Sequence, residues 1–380
     1  MNTFVLIIVT LLFSFFIAYG ILIGFYTIGW YLLKQPARSK RKPVTRVSVL
    51  IPARNEEANI AACLKDLMHQ DFPSELIEIT VIDDHSEDDT LGKISEVVMN
   101  HPERQIQIAR LSGKSGKKAA ITQAISTASG KLILTTDADC RLPEGWISSM
   151  VNHYEQSGSK MISGPVVFHQ ENSLFKKFQS LEFLSLIASG AGSISIKAPI
   201  MCNGANLAYE KKAFEAVSGY ASDASFVSGD DVFLLLKIKK QYGSDAVHFL
   251  KDESAIVKTH AKQSLKEFLQ QRIRWISKSR GYTNLAIVLA SLIIYLFNYM
   301  LFATALLSIW FPDLLMFALI FLIAKVIIDF PILLGISSFA KKQKLLWFYP
   351  ALQIIYVIYV SLIGFAGNFF GFSWKGRKLK

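Results

Sequence analysis

Between Phe4 and Leu33 the chain carries no charged side chain. A helix needs about 20 apolar residues to cross a hydrocarbon layer about 30 Å thick, so this run is long enough to span a bilayer. No basic stretch precedes it, no small-residue cleavage site ends it, and Lys34, Arg38, Lys40, Arg41, Lys42 and Arg46 follow. That pattern predicts a retained anchor over residues 1–34, with the domain after it in the cytosol.

Three further apolar stretches, Leu285 to Trp310, Leu314 to Phe339 and Leu345 to Phe370, are divided by "FPD" and "KKQK" and predict a membrane region over residues 284–380. Lys278 and Arg280 before the first of these, and Lys341, Lys342 and Lys344 after the second, obey the positive-inside rule. The basic tail "WKGRKLK" would emerge on the opposite side if the last stretch crosses fully, so that stretch either spans or re-enters, with Gly364, Gly367 and Gly371 loosening it. In the middle of the third span, Lys325 and Asp329 share a helix face and are expected to pair, either to hold the bundle or to line a lipid cleft. A net charge of +11 invites a nucleic-acid reading, but the basic residues cluster beside apolar spans and no RRM, KH or zinc pattern is present. Cys63, Cys140 and Cys202 lie far apart in apolar surroundings and read as buried thiols.

From about Val44 to Lys258 strand-like runs such as "RVSVLIP", "IEITVIDD" and "KLILTT" alternate with helix-like ones. This βαβ rhythm predicts an α/β domain with a mostly parallel sheet. Asn55 is expected to cap the helix that follows the first strand, with Glu56 and Glu57 in its first turn. The segment "SLFKKFQSLEFLSLIASGAG" is too interrupted to span and is expected to lie at the membrane interface or to pack on the sheet.

Ligands of open α/β sheets bind beyond the carboxyl ends of the strands. There this chain is acidic: Asp83 and Asp84 end one strand, Asp137 and Asp139 another, and Asp230 and Asp231 open a helix. One such pair alone is most simply a solvated turn or a helix cap. Like charges gathered at one site raise each other's pKa unless a cation is shared or one group serves as a proton acceptor. A hard dication carrying a diphosphate resolves that conflict.

In this arrangement the chain resembles the membrane-bound, inverting members of glycosyltransferase family 2. "VSVLIPARNEE" resembles their opening strand and turn, "VIDDHSEDDT" their nucleotide loop, "TTDAD" their DXD motif, "GDD" their ED motif, and "QQRIRW" their (Q/R)xxRW signature. The resemblance implies a GT-A catalytic domain with a nucleotide-binding, Rossmann-like mixed sheet over residues 44–258, an interfacial helix over residues 259–283, and one membrane span before and three after. It assigns Pro52, Ala53, Arg54, Glu56, Asp83 and Asp84 to the nucleotide, Lys117 to the departing diphosphate, and Asp137 and Asp139 to Mg2+ or Mn2+. Asp231 would be the base that takes the acceptor's proton, with Asp230 the alternative because the motif's glutamate is replaced by aspartate. Gln271, Arg274 and Trp275 would meet acceptor and diphosphate, and Asn203 and Gly204 the acceptor strand.

The implied activity is transfer of a sugar from a nucleotide-sugar, most simply UDP-linked, to a lipid-linked acceptor at the cytoplasmic membrane face. Processive synthases similar to chitin, cellulose and hyaluronan synthases share the signature with single-transfer enzymes similar to ceramide glucosyltransferase. A polymer product therefore stays open, as does a catalytically silent membrane scaffold or lipid-binding protein.

Overall fold

The computed structural model describes residues 3–37, 41–102, 106–113, 115–220, 229–277, 281–282, 284–366, 372–374 and 377–379. Arg38, Lys40, Lys278, Arg280, Gly367, Gly371 and part of the basic tail, all invoked above, lie outside them. The chain divides into two compact units, one made of residues 33–170 and 197–260, the other of residues 1–32, 171–196 and 261–380.

The first unit is built on a sheet. Its strands are β1 (Val47–Ala53), β2 (Ile77–Asp83), β3 (Ile106–Arg110), β4 (Leu132–Thr135), β5 (Met161–Ser163), β7 (Leu207–Glu210) and β8 (Val247–Phe249), hydrogen-bonded in the order β3-β2-β1-β4-β7-β5-β8. β1, β2, β3 and β4 run parallel, whereas β7 is antiparallel to both β4 and β5. Strands β1, β2 and β4 are buried almost throughout, as expected for strands covered on both faces. Glu78, inside β2, accepts bonds from Ser48 Oγ, Ser129 N and Ser129 Oγ. β6 (Val166–His169) and β9 (Val257–His260) form a separate parallel pair.

Helices α2 (Ile60–Met68), α3 (Thr90–Asn100), α4 (Lys117–Thr127), α5 (Trp146–Ser157), α7 (Lys211–Ala216) and α8 (Asp230–Tyr242) complete this unit. Asn55 does not cap α2. The helix starts only at Ile60, and Asn55 sits in the left-handed region at φ 51°, its Oδ1 accepting from Glu87 N. The loop after β1 is held by its neighbour loop, which a reading of local capping could not reveal.

The second unit is helical: α1 (Thr3–Leu32), α6 (Leu174–Ser195), α9 (Leu265–Ser277), α10 (Leu285–Leu307), α11 (Asp313–Phe339) and α12 (Tyr349–Ala366). Four segments, Thr3–Leu32, Leu285–Leu307, Asp313–Phe339 and Gln343–Gly364, are long and apolar enough to cross a membrane. α1 packs along α6, α10 and α11. It meets α6 at glycine: a Cβ on Gly29 would lie 2.2 Å from Gly192 O, and one on Gly192 would lie 2.2 Å from Tyr26 O. α6 therefore belongs to this helical unit, with most residues from Phe178 to Ile194 buried.

Candidate active site

Three loops meet at the carboxyl edge of the sheet. Ala53 and Asp83 are register partners, so the turns after β1 and β2 leave the sheet side by side. They are sewn together by Asp84 N to Ala53 O (2.8 Å), Arg54 Nη1 to Asp84 O (2.7 Å), Asn55 N to Ser86 Oγ (3.0 Å), Glu56 N to Thr90 Oγ1 (2.8 Å) and Asp89 N to Glu57 Oε2 (2.9 Å). Pro52, Ala53, Arg54, Glu56, Asp83 and Asp84 thus share one surface. The two aspartates differ in use. Asp83 receives Ser86 N and stabilises its own turn, while buried Asp84 takes the Ser115 hydroxyl at 2.6 Å from the loop after β3 and faces His85 Nδ1 at 3.2 Å.

Two residues beyond Ser115, Lys117 opens α4. Its Nζ lies 2.5 Å from Asp137 Oδ1, on the turn after β4. The same ammonium approaches Gly204, where a Cβ would stand 3.2 Å from it and 3.8 Å from Asp231 Oδ2. Gly204 N donates to Asp231 Oδ2 at 3.1 Å. Burial works against the Lys117 charge, but Asp137, Asp230 and Asp231 outweigh it and hold the ammonium well above the ordinary lysine range. The glycine has a local reason: any side chain there would crowd the lysine between the two acidic turns.

This cluster rests on further residues, among them Asp66, which sequence reading did not single out. Asp66 of α2 grips the turn after Asp139, accepting from Arg141 Nε (2.6 Å), Arg141 Nη2 (2.8 Å) and Leu142 N (2.9 Å). Buried Asn206 takes Trp146 Nε1 at 2.8 Å and donates to Pro165 O and Ala255 O, fixing the strand that follows Asn203 and Gly204. Asn203 itself turns its Oδ1 to Ala205 N. Buried Cys63 and Cys140 flank the same turn, and burial first, then the neighbouring aspartates, pushes both thiols up, so neither is a reactive thiolate.

Gln271, Arg274 and Trp275 lie on α9, in the helical unit. The residue between them is the buried one: Arg272 pairs with Glu182 of α6, donates to Gln271 Oε1 at 2.6 Å, and stacks over the Trp275 ring at 4.1 Å. A lone acid in "SLEFLSL" was its only sequence trace.

Residues 48–217 match the family model described as glycosyl transferase family 2. This segment is similar to glycosyltransferase family 2. An N-acetylglucosaminyltransferase of Rhizobium meliloti (strain 1021) is 25% identical over 65% of this chain and 59% of its own length. The undecaprenyl-phosphate 4-deoxy-4-formamido-L-arabinose transferase of Yersinia enterocolitica is 30% identical over 40% of this chain and 46% of its own. A beta-monoglucosyldiacylglycerol synthase of Nostoc sp. is 27% identical over 33% and 27%. The chain thus spans between 27% and 59% of the length of these curated relatives. The mannosyltransferase PcManGT from Pyrobaculum calidifontis, solved in complex with GDP-Man and Mn2+, is similar in fold with a TM-score of 0.64 at 17% identity, over 93% of this chain and 99% of that one. The matched segment accordingly has the GT-A fold, with a mixed, mostly parallel sheet.

The site offers few donors for a metal. Among the described residues no group of three or more His, Cys, Asp or Glu side chains is placed to hold an ion. Asp137 and Asp139 instead offer hard carboxylate oxygens two residues apart, each half-buried on one turn. Magnesium and manganese that bind through one or two carboxylates and complete their shell with substrate phosphates and water need no more than this. The residues fit a diphosphate-borne dication and do not fit a closed protein cage.

Proposed function

We propose that this chain is a membrane-anchored, inverting glycosyltransferase that moves a sugar from a nucleotide-sugar, UDP-linked, to a lipid-carried acceptor at the cytoplasmic face of the membrane. One observation carries the reading: Lys117 joins Asp137 on one turn to the Gly204–Asp231 pair on another, at the edge of the sheet where the nucleotide loops converge.

Roles follow from the chemistry of each group. The zipped loops carrying Pro52, Ala53, Arg54, Glu56, Asp83 and Asp84 hold base and ribose, with Asp83 or Asp84 the acid that recognises the base. Breaking the anomeric bond puts negative charge on the leaving diphosphate, and the Lys117 ammonium is fixed to receive it. Mg2+ or Mn2+ held by Asp137 and Asp139 supplies further neutralisation of that diphosphate when bound. Asp231, its Oδ2 oriented by Gly204 N, takes the proton of the attacking hydroxyl, with Asp230 next to it on α8. Gln271, Arg274 and Trp275 serve acceptor and diphosphate on the strength of their motif, and Asn203 and Gly204 line the acceptor side. In this reading the catalytic domain is residues 44–258, the interfacial helix 259–283, and the membrane parts 1–34 and 284–380.

Two matters support a lipid acceptor: four apolar helices long enough to span, and relatives named for transfer to undecaprenyl phosphate and for synthesis of a glucosyldiacylglycerol. The deciding experiment incubates the full chain in vesicles with radiolabelled UDP-glucose, UDP-N-acetylglucosamine or GDP-mannose, and with undecaprenyl phosphate or diacylglycerol, then sorts products by organic extraction. Label in the organic phase is expected. Label in an insoluble polymer would place the chain with processive synthases, and no product in any combination would leave only the scaffold reading.

A further inference from the structure

The side chain at the centre of α9 is Arg272, which is not a signature position. Its guanidinium is buried and bonds the Glu182 carboxylate through both Nε and Nη2, while Tyr359 of α12 donates to the same carboxylate at 3.3 Å. Phe268 supports the guanidinium from another side at 4.6 Å. α6, α9 and α12 are thereby tied at one point.

We propose that Glu182 and Arg272 are a positioning pair that fixes Gln271 and Trp275 for the acceptor, and that Gln271 is held so as to donate, not accept, a hydrogen bond to it. This rests on the acceptor-side reading of the signature given above. The direction follows from donor inventory. Arg272 has only donors, so the Gln271 atom it meets at 2.6 Å must be the carbonyl oxygen, and the amide N–H groups of Gln271 are left to face a ligand oxygen. A hydroxyl or phosphate oxygen of the acceptor is the partner this arrangement fits. The Trp275 ring lies 4.1 Å from the guanidinium, which stacks over it, and 6.2 Å from the Phe183 ring, and these contacts restrain its plane. A buried ion pair is weak evidence of stability, since well-packed apolar residues of similar volume often do as well. What this pair supplies, and apolar replacements could not, is one bidentate anchor with a hydrogen bond and a stacking face left over.

The test uses the full chain in vesicles, with undecaprenyl phosphate and diacylglycerol as acceptor probes. The double variant Glu182→Leu with Arg272→Met leaves no unpaired charge and is expected to unfold within a few degrees of the parent. Its acceptor KM should rise about tenfold or more, donor KM should hold, and Trp275 emission should shift. Arg272→Lys keeps the charge without the planar fork and should fall between. Gln271→Glu keeps the bond to Arg272 but removes the N–H donors, so it should weaken the acceptor as much as Gln271→Ala does. If Gln271→Ala and Trp275→Ala raise acceptor KM while the double variant does not, the positioning role is overturned and the acceptor-side reading stands. If those two alanine variants leave acceptor KM unchanged, the acceptor-side reading itself fails and takes this proposal with it. Full acceptor affinity in Gln271→Glu alone would overturn the donor assignment.

Discussion

Lys117 Nζ stands 2.5 Å from Asp137 Oδ1, across from the glycine whose N–H holds Asp231. One ammonium therefore neutralises acids that reach it from two separate turns of the sheet edge. If that charge stabilises a leaving diphosphate, Lys117→Met should lower kcat by about 10² to 10³, the usual loss for one preorganised electrostatic group. Asp139→Asn should abolish transfer while the protein still inserts in membranes. Full activity in excess EDTA would sink the metal assignment.

Asp231→Asn removes the proton acceptor and one of two backbone bonds, because Gly204 N meets Oδ2 while Val232 N meets Oδ1 and an amide has a single oxygen. Transfer should drop by about 10² to 10⁴ with nucleotide affinity intact. Asp230→Asn is the matched control, read by the same transfer assay and by nucleotide titration. A severe Asp230 effect beside a mild Asp231 effect would reverse the two roles.

What could be read in advance was whatever is local in sequence. Strands β1, β2 and β4 announce themselves as apolar runs, and the acids at their ends mark the edge where Asp84 and Asp137 are found. Lys117 was legible as a basic helix start, but its bond to Asp137 spans 20 residues and needs the fold. Asn55 misled because its capping chemistry is satisfied by the neighbouring loop, through Glu87 N, instead of by α2. The antiparallel entry of β7 left no periodic trace. Arg272 and Glu182 lie 90 residues apart, so neither residue alone disclosed that the two sides of the pair would meet. Likewise Gly192 of α6, part of a stretch read as too interrupted to span, serves close contact with α1.

That contact gives a stability prediction. Gly192→Ala places a Cβ 2.2 Å from Tyr26 O, so α1 and α6 must separate, at a cost of about 1–3 kcal/mol as for other overpacked sites. Gly24→Ala on the same α1 helix meets nothing within 4 Å and should be neutral or mildly stabilising. Denaturation of the two variants in mixed micelles distinguishes them, and equal stability would show that the helices do not touch at Gly192.

His153 and His248 face each other at 3.0 Å between α5 and β8. Burial first, then the His248 charge, holds His153 down to about 4, below the 6.5 of an ordinary histidine. The unfolded chain therefore takes up a proton as pH falls below about 6.5, while the folded one resists until about 4, so stability should decline through that window and level off beneath it. His153→Phe removes the group that titrates. Thermal midpoints measured from pH 7 to 4 should fall less in the variant than in the parent, and parallel curves would show that His153 is not responsible.

The last prediction concerns the charged pair inside the third apolar helix. Lys325 is fully buried, and its Nζ donates to Asp329 Oδ2 at 2.6 Å, Gln353 Oε1 at 2.9 Å and Tyr19 OH at 3.1 Å. Tyr19 in turn donates to Asp329 Oδ1 at 2.6 Å. An ammonium has three donors, and all three are used on partners from α1, α11 and α12. Of the two expectations for this pair, the bundle-holding one is therefore favoured over a lipid contact, because a lipid phosphate would have to displace a bond already made. Lys325→Met alone leaves the Asp329 charge buried without its cation and should destabilise the bundle by about 3–5 kcal/mol. Lys325→Met with Asp329→Leu leaves no stranded charge, so folding should recover most of that loss, with both donor KM and acceptor KM at parental values. A raised acceptor KM in a stably folded double variant would restore the lipid-cleft reading.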